Sequence, residues 1–223
     1  MRQLVLLGPP GSGKGTQAGL LAGHFGLSTY STGVVLRQEE VRATPLGQRI
    51  HRYLKVGSYV PDDLVLVLVR KVLQADGGRC VLDGFPRTVA QGCALDQLID
   101  ELGGGEPIAI HLDVATEVLQ ARVQARVTCD GCGAIWRQGN QPPICPSCKL
   151  QVTPRNDDSE QLYRARLAEY QKKTTQADVS QYTMLKQLEL SVGAHIVNFE
   201  YCQVVKYCNH MQYEHQRTIL NAF

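Results

Sequence analysis

Short apolar runs alternate with longer segments of helical periodicity along most of the chain. Leu4-Val5-Leu6-Leu7 runs into Gly8. Consecutive apolar residues bounded by a turn signal read as a strand buried on both faces. Thr16 to Phe25 repeats apolar residues at helical spacing through Leu20, Leu21 and Phe25, and Gly26 ends it. Leu27 to Tyr30 is a short second strand, and Ser31-Thr32-Gly33 can cap the next helix. Val34 to Gly57 is helical, divided into short pieces by Pro45 and Gly47. Pro61-Asp62-Asp63 suits a first helical turn; that helix runs through Leu64–Leu73 and ends near Asp76-Gly77-Gly78. Cys80-Val81-Leu82 is a third strand, Val89 to Leu102 a helix, Ile108 to Leu112 a fourth strand with Asp113 at its end, and Glu117 to Arg126 a helix. Such alternation predicts a parallel, doubly wound α/β sheet. Leu162 to Leu190 is expected to be largely helical, Ala194 to Phe199 a fifth strand, and Glu200 to Phe223 a last helix.

Composition narrows the classes. The 223 residues suit one domain with insertions, and 43% hydrophobic residues supply a substantial core. A net charge of +2 argues against a nucleic-acid binder, which would carry a strong basic field. The apolar run Leu64 to Val69 is too short to span a bilayer. The chain enters a strand directly with no signal peptide, so a cytoplasmic location is expected. Eight cysteines suit a secreted disulfide protein, but in a reducing compartment paired cysteines more often hold metal.

The first strand leads into Gly8-Pro9-Pro10-Gly11-Ser12-Gly13-Lys14-Gly15-Thr16, which completes G-x-x-x-x-G-K. Glycines let the backbone approach a phosphate, successive N–H groups converge on it, and the helix N-terminus adds partial positive charge. Lys14 brings a full charge, and the Thr16 hydroxyl is a candidate orienter for Mg²⁺ or phosphate. In parallel sheets ligands bind beyond the carboxyl ends of strands. Gly8–Thr16, Ser31–Gly33 and Asp83-Gly84-Phe85-Pro86-Arg87 all follow such ends, so they converge on one cleft.

Residues 127 to 158 break the rhythm. Cys129-Asp130-Gly131-Cys132 and Cys145-Pro146-Ser147-Cys148 are two C-x-x-C knuckles separated by twelve residues. This is the spacing of a four-cysteine zinc site, with Cys129, Cys132, Cys145 and Cys148 as ligands. Four thiolates fill the tetrahedron, which makes the metal a folding clamp and not a Lewis acid. Cys202, Cys208, His210 and His215 lie in the tail at no recognised metal spacing and read as scattered helix residues.

Taken together, Gly-Pro-Pro-Gly-Ser-Gly-Lys-Gly-Thr-Gln (8–17), Ser-Thr-Gly (31–33), Val-Pro-Asp-Asp (60–63), Leu-Asp-Gly-Phe-Pro-Arg-Thr (82–88), the four cysteines and Arg-Asn-Asp-Asp (155–158) resemble adenylate kinase. The likeness is to the bacterial long-lid form with a zinc-binding lid, over about residues 1 to 199. It implies a P-loop NTPase-like core with a five-stranded parallel sheet (1–30, 61–125 and 159–223), a helical AMP-binding insert (31–60) and a small zinc-ribbon lid (126–158). The implied reaction is ATP + AMP ⇌ 2 ADP with Mg²⁺, in a monomer.

The same resemblance assigns roles to residues. Arg37 and Arg87 would hold the AMP phosphate, while Arg126, Arg155 and Arg166 would clamp the transferring phosphoryl group. Arg122 would lie near the ATP adenine, and Ile135 and Trp136 would pack near ATP. Thr32, the Ser58-Tyr59-Val60 backbone, Gly84 and Gln91 would contact AMP, with Gln91 reading the adenine edge. Gly33, Phe85 and Pro86 belong to the strand-end loops of the same cleft. Asp83 would act through water on Mg²⁺, and Asp157 and Asp158 would hold a closed lid or orient the arginines.

The chain departs from the family pattern at three places. Val34 stands where an aspartate is usual, Val127 where a second lid arginine is usual, and Asn198-Phe199 where Asp-Gly is usual. The alternatives are a nucleoside monophosphate kinase with another acceptor or donor, and a catalytically weakened nucleotide-binding protein. A zinc-ribbon nucleic-acid binder is opposed by the near-neutral charge.

Overall fold

The computed structural model describes residues 3–175, except 43, 76, 106, 113 and 130, together with the strand segments 186–192 and 195–203. In chain order, β1 (Leu4–Leu7) is followed by α1 (Lys14–Phe25), β2 (Ser28–Ser31), α2 (Thr32–Val41), α3 (Pro45–Leu54), α4 (Asp62–Ala75) and β3 (Cys80–Asp83). Then come α5 (Val89–Glu101), β4 (Ile108–His111), α6 (Thr116–Gln124), and the short strands β5 (Arg126–Cys129), β6 (Ile135–Arg137) and β7 (Val152–Pro154). A 3₁₀ turn at Asn156–Asp158, α7 (Glu160–Glu169), a π-helical turn at Tyr170–Thr175, β8 (Lys186–Val192) and β9 (His195–Gln203) complete it.

The main sheet has the order β2-β3-β1-β4-β9-β8. The pairs β2–β3, β3–β1 and β1–β4 are parallel. The burial of β1 explains its unbroken apolar run, because both of its faces are covered. Val5 and Leu7 join a core with Leu64, Val69 and Leu73 of α4 and Leu95, Leu98 and Ile99 of α5. Leu4 and Leu6 join the opposite core with Ala18, Leu21 and Ala22 of α1.

Three sequence expectations are corrected here. The expected fifth parallel strand is β9, and it runs antiparallel to β4 with Ala109 opposite Gln203. The parallel sheet therefore has four strands, and β8 and β9 extend it as an antiparallel hairpin. Of the segment Leu162–Leu190, expected to be largely helical, the described residues are helical through Thr175, whereas Lys186–Val192 is a strand. A short connection suffices between antiparallel neighbours, whereas a parallel one needs a crossover. Glu200–Gln203, expected to open a last helix and holding Cys202, belong to β9 instead, while Asp76, Asp113, Ala194 and residues 204–223, with Cys208, His210 and His215, lie outside the described residues.

Local chemistry sets the helix boundaries. Pro45 starts α3 under a Thr44 cap that accepts from the Gly47 amide at 2.9 Å. Gly47, which the sequence pattern marks as a helix divider, lies inside α3. A Cβ there would stand 2.4 Å from the Glu39 carbonyl oxygen, so glycine allows α3 to pack against α2. Arg126, expected to end a helix, instead opens β5 after α6 stops at Gln124. The cysteine segment forms its own antiparallel sheet, in the order β6-β5-β7.

Candidate active site

The loop from Gly8 to Gly13 joins β1 to α1 over one end of the sheet. Gly11 takes φ +89°, and a Cβ on it would meet Val123 Cγ2 at 2.8 Å, so this loop fits only without a side chain there. Gly13 caps α1 in the left-handed region with no side-chain bond to the first turn. Unpartnered amides at a helix N-terminus are an anion site in waiting. Lys14 Nζ donates to the carbonyls of Gly8 (2.7 Å) and Pro9 (2.9 Å). Burial, partly offset by the Asp83 carboxylate, pulls the Lys14 ammonium down to about 8.

This loop floors a cleft of about 1350 Å³. Its walls carry Lys14, Arg37, Arg87, Arg122, Arg126, Arg137, Arg155 and Arg166 against the carboxylates of Asp83, Glu117 and Asp157. A chain of near-neutral net charge thus gathers eight of its 23 lysines and arginines in one concave place. Low-dielectric walls focus such a field on an anionic ligand.

Two aspartates order the arginines. Asp158 accepts from Arg126 Nε at 2.7 Å and from Arg126 Nη2 in a fork, and from Arg166 Nη2 at 3.2 Å. Asp157 accepts from Arg155 Nε at 2.8 Å and Arg166 Nη1 at 2.6 Å, and Arg37 Nη1 lies 3.6 Å away. Burial works to raise the Asp157 carboxyl, but Arg155, Arg166 and Arg37 outweigh it and hold it well below the usual carboxylate range. Burial and the adjacent Arg155 pull the Arg37 guanidinium down to about 10, still charged at neutral pH. Arg122 Nη1 reaches the Ser12 carbonyl at 3.3 Å.

Arg87 follows β3 and is held at several atoms. Its amide donates to Gln91 Oε1 at 2.8 Å, and its Nε donates to the Gly84 carbonyl at 2.7 Å. Its own carbonyl accepts from Thr174 Oγ1 at 2.9 Å. Its guanidinium carbon lies 5.1 Å from the centroid of the Tyr59 ring. Gln91 is engaged at both amide atoms, since Nε2 donates to Asp62 Oδ1 at 2.6 Å. Asp62, read from the sequence as a first-turn acid, is the group that orients this glutamine, and it also accepts from Thr88 Oγ1 at 2.9 Å.

Most of the residues singled out from the sequence reach the cleft. Gly11, Ser12, Gly13, Lys14, Gly15, Thr16, Gly33, Arg37, Ser58, Tyr59, Asp83, Gly84, Pro86, Arg87, Arg122, Arg126, Ile135, Trp136, Arg155 and Arg166 all line it. Thr32, Val60, Phe85 and Gln91 are buried behind the wall. Ser31 stands at the N-cap of α2 without a capping bond, and Thr32 Oγ1 turns back to the Gly84 carbonyl at 2.8 Å. Sequence reasoning missed Asp62 and Thr174 as site residues. Their partners are 29 and 87 positions away in the chain, and no local pattern encodes such contacts.

The cysteine sheet lies over the cleft. Gln38 Nε2 of α2 donates to the Gly131 carbonyl at 3.0 Å. Cys129, Cys132, Cys145 and Cys148 bring their sulfurs within 4.8 Å of one another, and the Gly131 amide donates to Cys129 Sγ at 3.3 Å. A tetrahedron with metal–sulfur bonds of about 2.3 Å has sulfur–sulfur edges of roughly 3.8 Å, so this cluster is of the size a metal ion requires. A hydrogen bond from the Cys129 thiol leads the causes that lower Cys148 to about 6, while burial pushes the Cys132 thiol up to about 12. Among the described residues no helix is long and apolar enough to cross a membrane.

Comparison with known proteins agrees with this geometry. A family model described as Adenylate kinase matches residues 6–186. An adenylate kinase of Symbiobacterium thermophilum is 41% identical over 177 residues, 77% of this chain and 82% of that one. One of Salinispora tropica is 39% identical over 178 residues, 77% of this chain and 82% of that one. One of Chlamydia caviae is 37% identical over 172 residues, 76% of this chain and 80% of that one. A phosphate loop on a parallel sheet, a cation-lined cleft and these relatives lead to one conclusion: the chain belongs to the adenylate kinase family and is an enzyme of ATP:AMP phosphoryl transfer.

Proposed function

We propose that the transfer takes place in the cleft between Lys14 and the arginines, and that the chain divides the work among three parts. The core would be 1–30, 61–125 and 159–223, with 31–60 as the AMP insert and 126–158 as the lid. The observation that carries this reading is the convergence of eight cationic side chains on one cleft floored by the phosphate loop. Phosphoryl transfer between two nucleotides needs positioning, charge neutralisation and exclusion of water, and no covalent nucleophile.

Mg-ATP enters as substrate. Its phosphates lie against the amides of Gly11 to Thr16, with Lys14 on the transferable group and the Thr16 hydroxyl and Asp83 orienting the magnesium water shell. Arg122, Ile135 and Trp136 border the nucleoside. The AMP phosphate is held by Arg37 and Arg87, and its base lies by Gln91. Arg126, Arg155 and Arg166 stabilise charge on the moving phosphoryl group, and Asp157 and Asp158 keep their forks aligned beforehand. Zinc held by Cys129, Cys132, Cys145 and Cys148 stiffens a sheet too small to have a core of its own. Zinc supplies folding energy there and takes no part in the transfer. The enzyme works as a cytoplasmic monomer.

The test is ADP formation from Mg-ATP with AMP, CMP, UMP and GMP in turn, on metal-replete protein. Activity confined to AMP supports the acceptor assignment, and a preference for another acceptor overturns it. Substituting Arg37, Arg87 or Arg126 by glutamine should lower kcat/KM by about 100-fold or more, since each removes a charge-assisted contact to the reacting phosphates.

A further inference from the structure

We propose that Thr174, acting with Tyr59, is a positioning residue for Arg87, and that the pair sets the affinity for the nucleotide that accepts the phosphoryl group. The inference rests on the reading of Arg87 as an arginine of the acceptor phosphate.

Three chain segments distant in sequence meet at the Thr174 hydroxyl. Thr174 belongs to the π-helical turn Tyr170–Thr175, Tyr59 follows the α2–α3 insert, and Arg87 follows β3. Thr174 is 4% exposed, and its hydroxyl has two partners, the Arg87 carbonyl at 2.9 Å and the Tyr59 phenol at 3.0 Å. A threonine hydroxyl holds one proton. A carbonyl can only accept, so that proton goes to Arg87. The phenol must then donate, and the relay runs from Tyr59 O–H to Thr174 O–H to the Arg87 carbonyl. Burial raises the Tyr59 phenol above its usual value, so it keeps its proton at neutral pH.

The consequence reaches the guanidinium by two routes. Along the backbone, Arg87 is pinned at its amide by Gln91 and at its carbonyl by Thr174. Through space, the phenol bond fixes the Tyr59 ring, whose centroid lies 5.1 Å from the Arg87 guanidinium carbon. Nε is already given to the Gly84 carbonyl, so the orientation of the fork is set before any anion arrives. Arginine gains specificity for phosphate from a fork in fixed geometry. Removing the threonine hydroxyl frees the ring and leaves the carbonyl unpaired, while the charge on Arg87 stays.

A merely structural threonine would lower the melting temperature and leave the two substrates' KM values alone or move them together. The positioning role predicts a split. Thr174→Val, close in volume, should raise the KM for AMP about tenfold, with the KM for Mg-ATP within about twofold of wild type. Thr174→Ser keeps the hydroxyl and should restore wild-type values. Tyr59→Phe keeps the ring but loses the donor, and should raise the AMP KM roughly threefold; it carries the test alone should Thr174→Val fail to fold. Arg87→Gln is the reference. If it raises the AMP KM and Thr174→Val and Tyr59→Phe do not, the inference is overturned while the role of Arg87 stands. An unchanged AMP KM in Arg87→Gln would overturn both.

Discussion

Val34 of α2 faces Gly133 of the cysteine sheet so closely that a Cβ on Gly133 would stand 2.7 Å from Val34 Cγ2. Gly133 also takes φ +72°, where a side chain is strained whatever the space. The contact lies where the sheet meets the helix that borders the cleft, beside the Gln38 bond to Gly131. Gly133→Ala is therefore expected to hinder the seating of the sheet on α2 and to lower kcat/KM on the order of tenfold, while its backbone strain of about 1–2 kcal/mol lowers the melting temperature by a few degrees. Adding Val34→Ala should recover the steric share and leave the backbone share. Steady-state kinetics on both variants checks it.

The same position carries a second prediction. Val34→Asp places a carboxylate where the family pattern has one, and turnover is expected to rise. Unchanged turnover with unchanged ATP and AMP affinities would remove any catalytic part for the side chain at this position.

Asp157 ties stability to acid. Its folded carboxyl titrates below the unfolded one because three arginines favour the charged form. A depressed carboxylate contributes stability that is present above the unfolded value, near pH 4, and is lost as pH falls through the folded one. Asp157→Asn should lower stability at neutral pH and flatten the acid limb of the melting curve. Thermal melts from neutral pH to about pH 3 measure both effects; parallel acid limbs in the two proteins would refute it.

Lys14 predicts the opposite limb. The unfolded lysine titrates at 10.5 and the folded one at about 8, so between these values the unfolded chain holds more protons. Stability of the nucleotide-free protein should rise with pH across that window. Phosphate favours the ammonium form, so Mg-ATP binding near pH 9 should take up a proton, and binding near pH 7 should not. Calorimetry in buffers of different ionisation enthalpy detects the uptake, and Lys14→Met should abolish it.

Metal removal is expected to act on the small sheet first. Stripping the ion, or Cys148→Ser, should cost at least about 3 kcal/mol, roughly 10 °C in melting temperature for a chain of this size. Hydrogen exchange should rise in β5, β6 and β7 while β1, β3 and β4 stay protected. Metal analysis should find one zinc per chain.

The elements around the phosphate loop were legible because their signals are local. Leu4–Leu7 is apolar without a break because both faces are covered, and the turn that follows needs glycine for backbone reasons. The knuckles Cys129/Cys132 and Cys145/Cys148 carry their spacing in the chain itself. Gly47 misled, because a glycine that lets two helices touch looks the same in sequence as one that ends a helix.

By itself, then, the sequence determined the parallel α/β core, the phosphate loop, the cysteine cluster and, by resemblance, the family. Each is written in residues close together in the chain, where backbone freedom, periodicity and ligand spacing leave few alternatives. Tertiary structure alone decided that β9 runs against β4, that Asp62 holds Gln91, that Thr174 anchors Arg87 and that Val34 meets Gly133. Those contacts join residues far apart in the chain. Hydrogen-bond geometry and close packing select them only once the sheet has brought their segments together.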